Sequence, residues 1–289
     1  MMKTTALAQS TMIVIEARPR TLAARFRALW QYRAFYPFLF QEISMKKFRG
    51  TALGFWWLIL RPLIPAAISV VVFTHMVRME SHGLPYAIFF LSGFVTWNVF
   101  QSVLVFMPRT LMWMQGMMRR AYFPKLLVPL ASIGPPLIEL GVMLSLLAAT
   151  VAYFTITGSE PPLHYGWPML WFPTCLMLTL LFSFAIGMVM SVAALFFRDV
   201  VYSVAYFTQL VMFITPVIYP VTFVPEAYRW ILYTLNPMAQ VVEVSRWSLT
   251  GIGDFRPAFL LLAAGTILVS FVLSIAFFLR AEAYLADEM

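Results

Sequence analysis

Glu139 is the one acid well inside a long apolar stretch, and an ionisable side chain at membrane depth is costly enough to point to a function. The residue alone leaves two readings open: a working carboxylate, or a buried acid bonded to a neighbouring helix. A proton-coupled carrier would be expected to carry more such groups, so any transport must draw its energy from elsewhere. His75, His82 and His164 have no metal-ligand spacing and read as solvated loop residues. Cys175 is the only cysteine, which excludes disulfides within the chain and cysteine-rich metal sites. No G-x-x-x-x-G-K-[ST] run is present to cradle a nucleotide, and no nucleophile–base set or carboxylate cluster suggests hydrolysis or glycosyl transfer.

Aromatic side chains carry the remaining chemistry. Phe94, Trp97 and Phe100 share one face of a helix, and Tyr202, Tyr206 and Phe213 form a similar face further on. Such faces pack against the C–H faces of sugar rings without fixed hydrogen bonds, which would let a repeating polymer slide. Core packing is the alternative for each residue alone, and Trp113, Trp167 and Trp171 near span ends fit an interfacial belt.

The elements that must position these groups are helical. The sequence is 62% hydrophobic and 11% charged, with mean hydropathy +0.83, far from soluble globular usage. Its long continuous apolar runs lack the alternation of barrel strands, so an all-α polytopic membrane protein is expected. The spacing predicts six spans: 56–77, 85–107, 126–154, 169–197, 200–219 and 257–279. Residues 1–21 read as a flexible amino terminus, followed by an amphipathic interface helix over 22–50, basic on one side and rich in Trp and Phe on the other. The membrane domain then covers 51–280, and 281–289 form a short acidic tail.

Between the fifth and sixth spans the chain stays apolar but splits at Asn236-Pro237 into two pieces of about eleven residues, roughly 16 Å each. Neither piece can cross a hydrocarbon core of about 30 Å. A re-entrant helical hairpin over 220–247 is expected, with bends at Thr215-Pro216, Pro220 and Asn236-Pro237. Irregular backbone at that depth survives when buried in protein or lining a wet cavity, which points to a translocation path.

Charge sets the orientation. With a cytoplasmic amino terminus, Lys46, Lys47, Arg49, Arg61, Arg109, Arg119, Arg120, Lys125, Arg198 and Arg280 fall inside, and only Arg78, Arg229, Arg246 and Arg256 fall outside. Both termini are then cytoplasmic and the hairpin is external. The net charge of +8 follows from this topology and does not indicate nucleic acid. The pairs Glu226/Arg229 and Glu243/Arg246 are each three apart, one helical face apiece.

A series of motifs resembles one family. Lys46-Lys47-Phe48-Arg49 is followed by Leu53-Gly54-Phe55-Trp56-Trp57 and Leu60-Arg61-Pro62-Leu63, then by Pro85-Tyr86 with Gly93 and Trp97. Tyr122-Phe123-Pro124-Lys125, Phe197-Arg198-Asp199-Val200, Thr215-Pro216-Val217-Ile218-Tyr219-Pro220, Leu235-Asn236-Pro237-Met238 and Arg246 complete it. In order and spacing, from about residue 38 to 250, the chain resembles the permeases of type-2 ABC exporters, polysaccharide branch (O-antigen, capsule and teichoic acid). The departures are a long amino-terminal region and Met45-Lys46-Lys47-Phe48 where the family more often has an Arg-Tyr pair.

The resemblance implies a homodimeric permease in the bacterial inner membrane, joined to two copies of a separate ABC ATPase subunit. ATP and Mg belong to that partner, and no cofactor or enzymatic activity is expected on this chain. It implies export of a lipid-linked polysaccharide through a channel at the dimer interface. It assigns Arg119, Arg120, Tyr122, Phe123 and Pro124 to a loop that docks on the ATPase, and the outer hairpin to a gate with Thr215, Pro216, Pro220, Asn236 and Pro237 at its bends. Lys46, Lys47, Arg49, Arg198 and Asp199 are expected at the membrane interface. A small-molecule or drug exporter of the same type is the alternative within transport. A membrane enzyme of glycan or lipid assembly is the alternative outside it, and it lacks a catalytic cluster.

Overall fold

The computed structural model describes residues 22–48, 50–79, 83–121, 123–158 and 166–288. The expected flexible segment 1–21 lies outside the described residues, as do Arg49, His82, Tyr122 and His164.

All secondary structure among the described residues is helical. Among the described residues, five helices are long and apolar enough to cross a membrane: Trp57–Met76, Tyr86–Arg120, Leu127–Ile156, Trp167–Phe196 and Pro257–Glu282. The chain is a multi-pass membrane protein. Its apolar side chains face lipid as well as the core, which is why large hydrophobics such as Ile68, Val71 and Leu261 stand on its surface.

Helices α1 (Leu22–Gln31) and α2 (Tyr36–Phe48) precede the first spanning helix, α3 (Trp57–Val71), which runs on into a single π turn, Val72–Met76. Next comes α4 (Tyr86–Arg120). The sequence suggested that this span ends at Met107 with a connection from Pro108 to Lys125. Instead the helix continues through Pro108 to Arg120. Proline within a membrane helix is tolerated where neighbouring helices cover the freed backbone, and Pro108 is buried.

The expected third span divides into α5 (Leu127–Ser132) and α6 (Gly134–Ile156). Pro135 and Pro136 have no N–H to continue a helical ladder, so they begin a new helix well and interrupt an old one badly. Gly134 has a second role. A Cβ there would stand 2.1 Å from the Phe40 ring, so only glycine lets α2 lie against the start of α6.

A 3-10 turn (Trp167–Leu170) leads into α7 (Trp171–Phe196), which is followed by α8 (Asp199–Ile214). Helix α8 has 16 residues, about 24 Å, and stops because Thr215 precedes a proline and is extended, with ψ 135°. The two short pieces read from the sequence are α9 (Glu226–Leu235) and α10 (Pro237–Thr250). Asn236 caps α10, its Oδ1 accepting from the Met238 N–H, and Gly251 ends it in the left-handed conformation at φ 71°. Last is α11 (Pro257–Glu288), which carries helix through most of the expected tail over 281–289.

Helix α4 is the axis of the molecule. Its longest seam is with α7, and α3, α5, α6, α8 and α10 also pack on it, while α11 covers α7 and α10. One end of the bundle carries Lys46, Lys47, Arg119 and Arg120; the start of α4 marks the other, where α9 and α10 meet. These are called the basic end and the hairpin end below.

Candidate functional site

Helix α10 is unusual among the short helices because every residue in it except Trp247 is buried. What it holds in place is the broken backbone after α8. Pro216 and Val217 lie beyond the helix, so their carbonyls have no helical donor and are shielded from water. Arg246 supplies the donors: its guanidinium reaches the carbonyl oxygens of Pro216 (2.9 Å), Val217 (3.1 Å) and Phe89 (3.3 Å). It also pairs with Glu243 one turn back and lies 3.9 Å from the centroid of the Phe89 ring. Gly93 makes room, since a Cβ there would fall 2.7 Å from Arg246 Nη2. Tyr86 donates to the Ile218 carbonyl at 2.7 Å, fastening the next residue to α4.

The two bends read from the sequence touch each other. The Asn236 amide donates to the Thr215 hydroxyl oxygen at 2.8 Å, and that hydroxyl donates to the Val211 carbonyl. Thr215, Pro216 and Pro220 are buried, as is Pro237 at the start of α10. Glu243 and Arg246 form the ion pair that their spacing suggested, fully inside the protein. Glu226 and Arg229 do not pair. Glu226 lies 3.5 Å from Arg256, and Arg229 donates to the Val224 carbonyl at 2.9 Å. The reason is local: Arg229 caps open carbonyls in the turn before its own helix, which leaves Glu226 for Arg256. Asp254 joins this network, accepting from Tyr233 and Arg256 while its N–H donates to Glu243.

The two aromatic faces differ in kind. Phe94, Trp97 and Phe100 belong to the core; Trp97 is fully buried, with Phe100 at 5.2 Å, and Phe100 stacks on Phe182 of α7. In this conformation they offer no surface to a polymer. Tyr202, Tyr206 and Phe213 of α8 are the reverse, 75%, 62% and 61% exposed. Phe207 and Leu210, which the sequence reading did not single out, widen that face.

At the basic end, Arg119 and Arg120 are exposed on the last turn of α4. Phe123 is buried against Phe35 (5.3 Å), and Pro124 is half-buried beside it. The backbone N–H of Lys125 donates to Glu282 of α11 at 3.3 Å. Lys46 pairs with Glu42 at 3.6 Å within α2. Lys47 is turned inward and meets Glu139 at 2.5 Å, and Ser102 of α4 donates to the other carboxylate oxygen. Glu139 is therefore bonded to two neighbouring helices. Burial pushes the Lys47 amine down from the usual lysine range, Glu139 opposes this, and the nearby Arg61 and Arg109 add to the depression. Arg198 and Asp199 are exposed at the start of α8, where the acid suits the helix N-terminus.

The family model described as "ABC-2 type transporter" matches residues 37–250. Among similar proteins, an O-antigen export system permease protein RfbA from Klebsiella pneumoniae is 24% identical over 153 residues, 53% of this chain and 56% of that protein. One of the same name from Myxococcus xanthus is 26% identical over 174 residues, 60% of this chain and 63% of the relative. The chain thus spans little more than half the length of the relatives it matches.

Proposed function

Since the chain belongs to the ABC-2 type transporter family, we propose that it is the membrane-spanning permease subunit of an ATP-driven exporter, and that its cargo is a polysaccharide, lipid-linked where it is loaded. The permease reading rests on the family match over residues 37–250, which takes in α3 to α10. The cargo is suggested by the relatives, whose names state O-antigen export. The observation that carries it in this chain is the exposed aromatic face of α8, with Tyr202, Tyr206 and Phe213 turned away from the chain's own core. A homodimer that sets two such faces opposite one another would enclose a path lined with rings. Phe94, Trp97 and Phe100 then shape that path from behind by fixing α4 against α7.

The energy comes from two copies of an ABC ATPase subunit, which binds the ATP and Mg. The docking loop comprises Arg119, Arg120, Tyr122, Phe123 and Pro124: Arg119 and Arg120 present the contact, and Phe123 ties the loop to Phe35 in the turn before α2. Helices α1 and α2 form the interface element of residues 22–50, a reading supported by exposed Trp30 and Phe38 beside Arg33. The membrane domain occupies 51–280. Helix α8, with the buried turn that follows it, serves as the fifth of six spans, and α9–α10 form a re-entrant hairpin on the outer side of the bacterial inner membrane, with both termini inside. The hairpin closes the outer mouth between cycles.

The test is replacement of Tyr202, Tyr206 and Phe213 together by Ala, with surface polysaccharide and ATPase activity measured. Exposed side chains contribute little to folding, so the protein should reach the membrane in normal amount while polymer accumulates inside. Normal polymer export by this variant would remove the α8 face from the path. Unaltered surface glycan in a strain deleted for the chain, with changed drug tolerance, would instead favour a small-molecule exporter.

A further inference from the structure

The basic end contains a cavity of about 60 Å³ between α2, the turn before α3, and α6, lined by Lys47, Thr51, Trp57, Arg61 and Glu139. That is on the order of four water-sized spheres, room for the tetrahedron of a phosphate group. Its charge is unbalanced. Lys47 is engaged with Glu139, but neither Arg61 nor Arg109 forms an ion pair among the described residues, and both lie close enough to act on the Lys47 charge. Among the charged lining residues Lys47 and Glu139 offset one another, which leaves the positive charge of Arg61, reinforced by Arg109 nearby, to attract the anionic phosphate of a headgroup. The planar donor fork of arginine suits phosphate oxygens, and charge-assisted bonds of this kind are the strong ones.

What adjoins the cavity narrows the ligand. Arg61, Ile64, Ile68 and Val71 follow one another along a single face of α3, and the three apolar members are 47%, 58% and 57% exposed. An anion bound at Arg61 would therefore stand at the foot of an apolar track leading into the membrane. Free phosphate makes no use of that track, whereas an amphiphile does.

We propose that this cavity is a binding site for the phosphate-bearing headgroup of a lipid, held by Arg61 with the positive charge of Arg109 nearby, and with its chain laid along the Ile64–Ile68–Val71 face of α3. Two sources supply that chemistry: an anionic phospholipid of the bilayer, or a polyprenyl diphosphate of the kind that anchors glycans. The second source rests on the export reading given above; the site itself does not. The Lys47–Glu139 pair lines the cavity and joins α2 to α6.

The full-length transporter, purified in detergent, tests this by native mass spectrometry with four probes: dioleoylphosphatidylglycerol, geranylgeranyl diphosphate, dioleoylglycerol and inorganic phosphate. At least one of the two phosphate amphiphiles should be retained, and dioleoylglycerol should not. Retention of phosphatidylglycerol alone assigns the site to a bilayer lipid, retention of the prenyl diphosphate alone to a diphosphate carrier, and retention of both to the phosphate whatever bears it. Arg61→Gln together with Arg109→Gln should weaken retention roughly tenfold or more, the value of lost charge-assisted bonds. Arg33→Gln, an exposed charge elsewhere on the basic end, should leave it unchanged. Arg61 is exposed, so Arg61→Gln alone folds and carries the same test should the double variant not accumulate. Wild-type retention by the Gln variants, binding of dioleoylglycerol as tight as that of the phosphate amphiphiles, or competition by inorganic phosphate at equal concentration would each overturn the proposal. The readout is ligand retention and not export, so its failure leaves the transport reading standing.

Discussion

Arg246 illustrates how a single side chain can make an irregular backbone tolerable inside a helical bundle. A buried ion pair alone is weak grounds for stability, because desolvating both charges offsets their attraction. Here the guanidinium also serves the carbonyl oxygens of Pro216 and Val217, which have no helical donor. Arg246→Ala would leave Glu243 buried without its partner and those carbonyls open, so a loss of about 3–5 kcal/mol is expected. It should appear as a lower melting temperature in detergent and a reduced membrane level. Arg246→Lys should recover little of this, since one ammonium cannot match a planar fork aimed at several oxygens. Wild-type yield and melting temperature for Arg246→Ala would show that the node is dispensable. The i, i+3 spacing of Glu243 and Arg246 was legible in the sequence, but their burial was not. That depends on α4, whose Gly93 leaves the space, and whose Phe89 lies more than 150 residues away in sequence. Lys47 and Glu139 show the same limit: the sequence raised a bonded Glu139 as one of two readings, but no short-range pattern named its partner, 92 residues away.

Among elements, the hairpin divides into unequal halves. Helix α10 is buried along its length and fastened by Arg246, whereas α9 exposes Tyr228, Trp230 and Leu235 and buries only Tyr233. Motion of the hairpin should therefore belong to α9, turning about Asn236 and the segment 220–225, with Thr215-Pro216 fixed. Backbone amides of α9 should exchange with deuterium well before those of α10, since local opening follows the number of buried contacts. Equal protection in both helices would argue for a hairpin that moves as one body. The sequence placed the break at Asn236-Pro237 because cap and proline are local signals. It gave no sign of which half is anchored, because that is decided by packing against α4, α7 and α11. The helix runs on past Met107 for a related reason: Pro108 is a helix breaker in isolation and not where neighbours cover it.

Also at this scale, Phe123 links two elements at the basic end. Its ring lies against Phe35, so Phe123→Ala should release the loop from the turn preceding α2 before it disturbs any contact with an ATPase. The expected result is weaker stimulation of ATPase activity by the permease with assembly of the two subunits retained. Loss of co-purifying ATPase in this variant would instead place Phe123 in the contact itself. Arg119→Glu with Arg120→Glu, both exposed, is the converse case and should reduce assembly directly.

For the whole molecule, α4 matters most, since it runs unbroken from the hairpin end to the basic end. At 35 residues it is about 52 Å long, more than a bilayer core, and its first and last turns carry the contacts of both ends. Tyr86 holds the turn after α8, and Arg119 and Arg120 project at the other extremity. A displacement of α4 at the basic end is therefore expected to reach the hairpin end without any intermediate joint. Such coupling requires the two ends to be on opposite sides of the membrane, as the Lys and Arg asymmetry implies. Reporter fusions after Gly158 and after Gly251 should both read as external. If that orientation holds, cysteines placed at Tyr228 on α9 of two copies, in a Cys175→Ser background, offer the decisive comparison. A crosslink there should arrest export while ATPase subunits remain bound and still hydrolyse ATP, because α4 is free and only the mouth is locked. Export at the normal rate through a fully crosslinked dimer would make the hairpin a scaffold, and the closing element would have to be sought in α8.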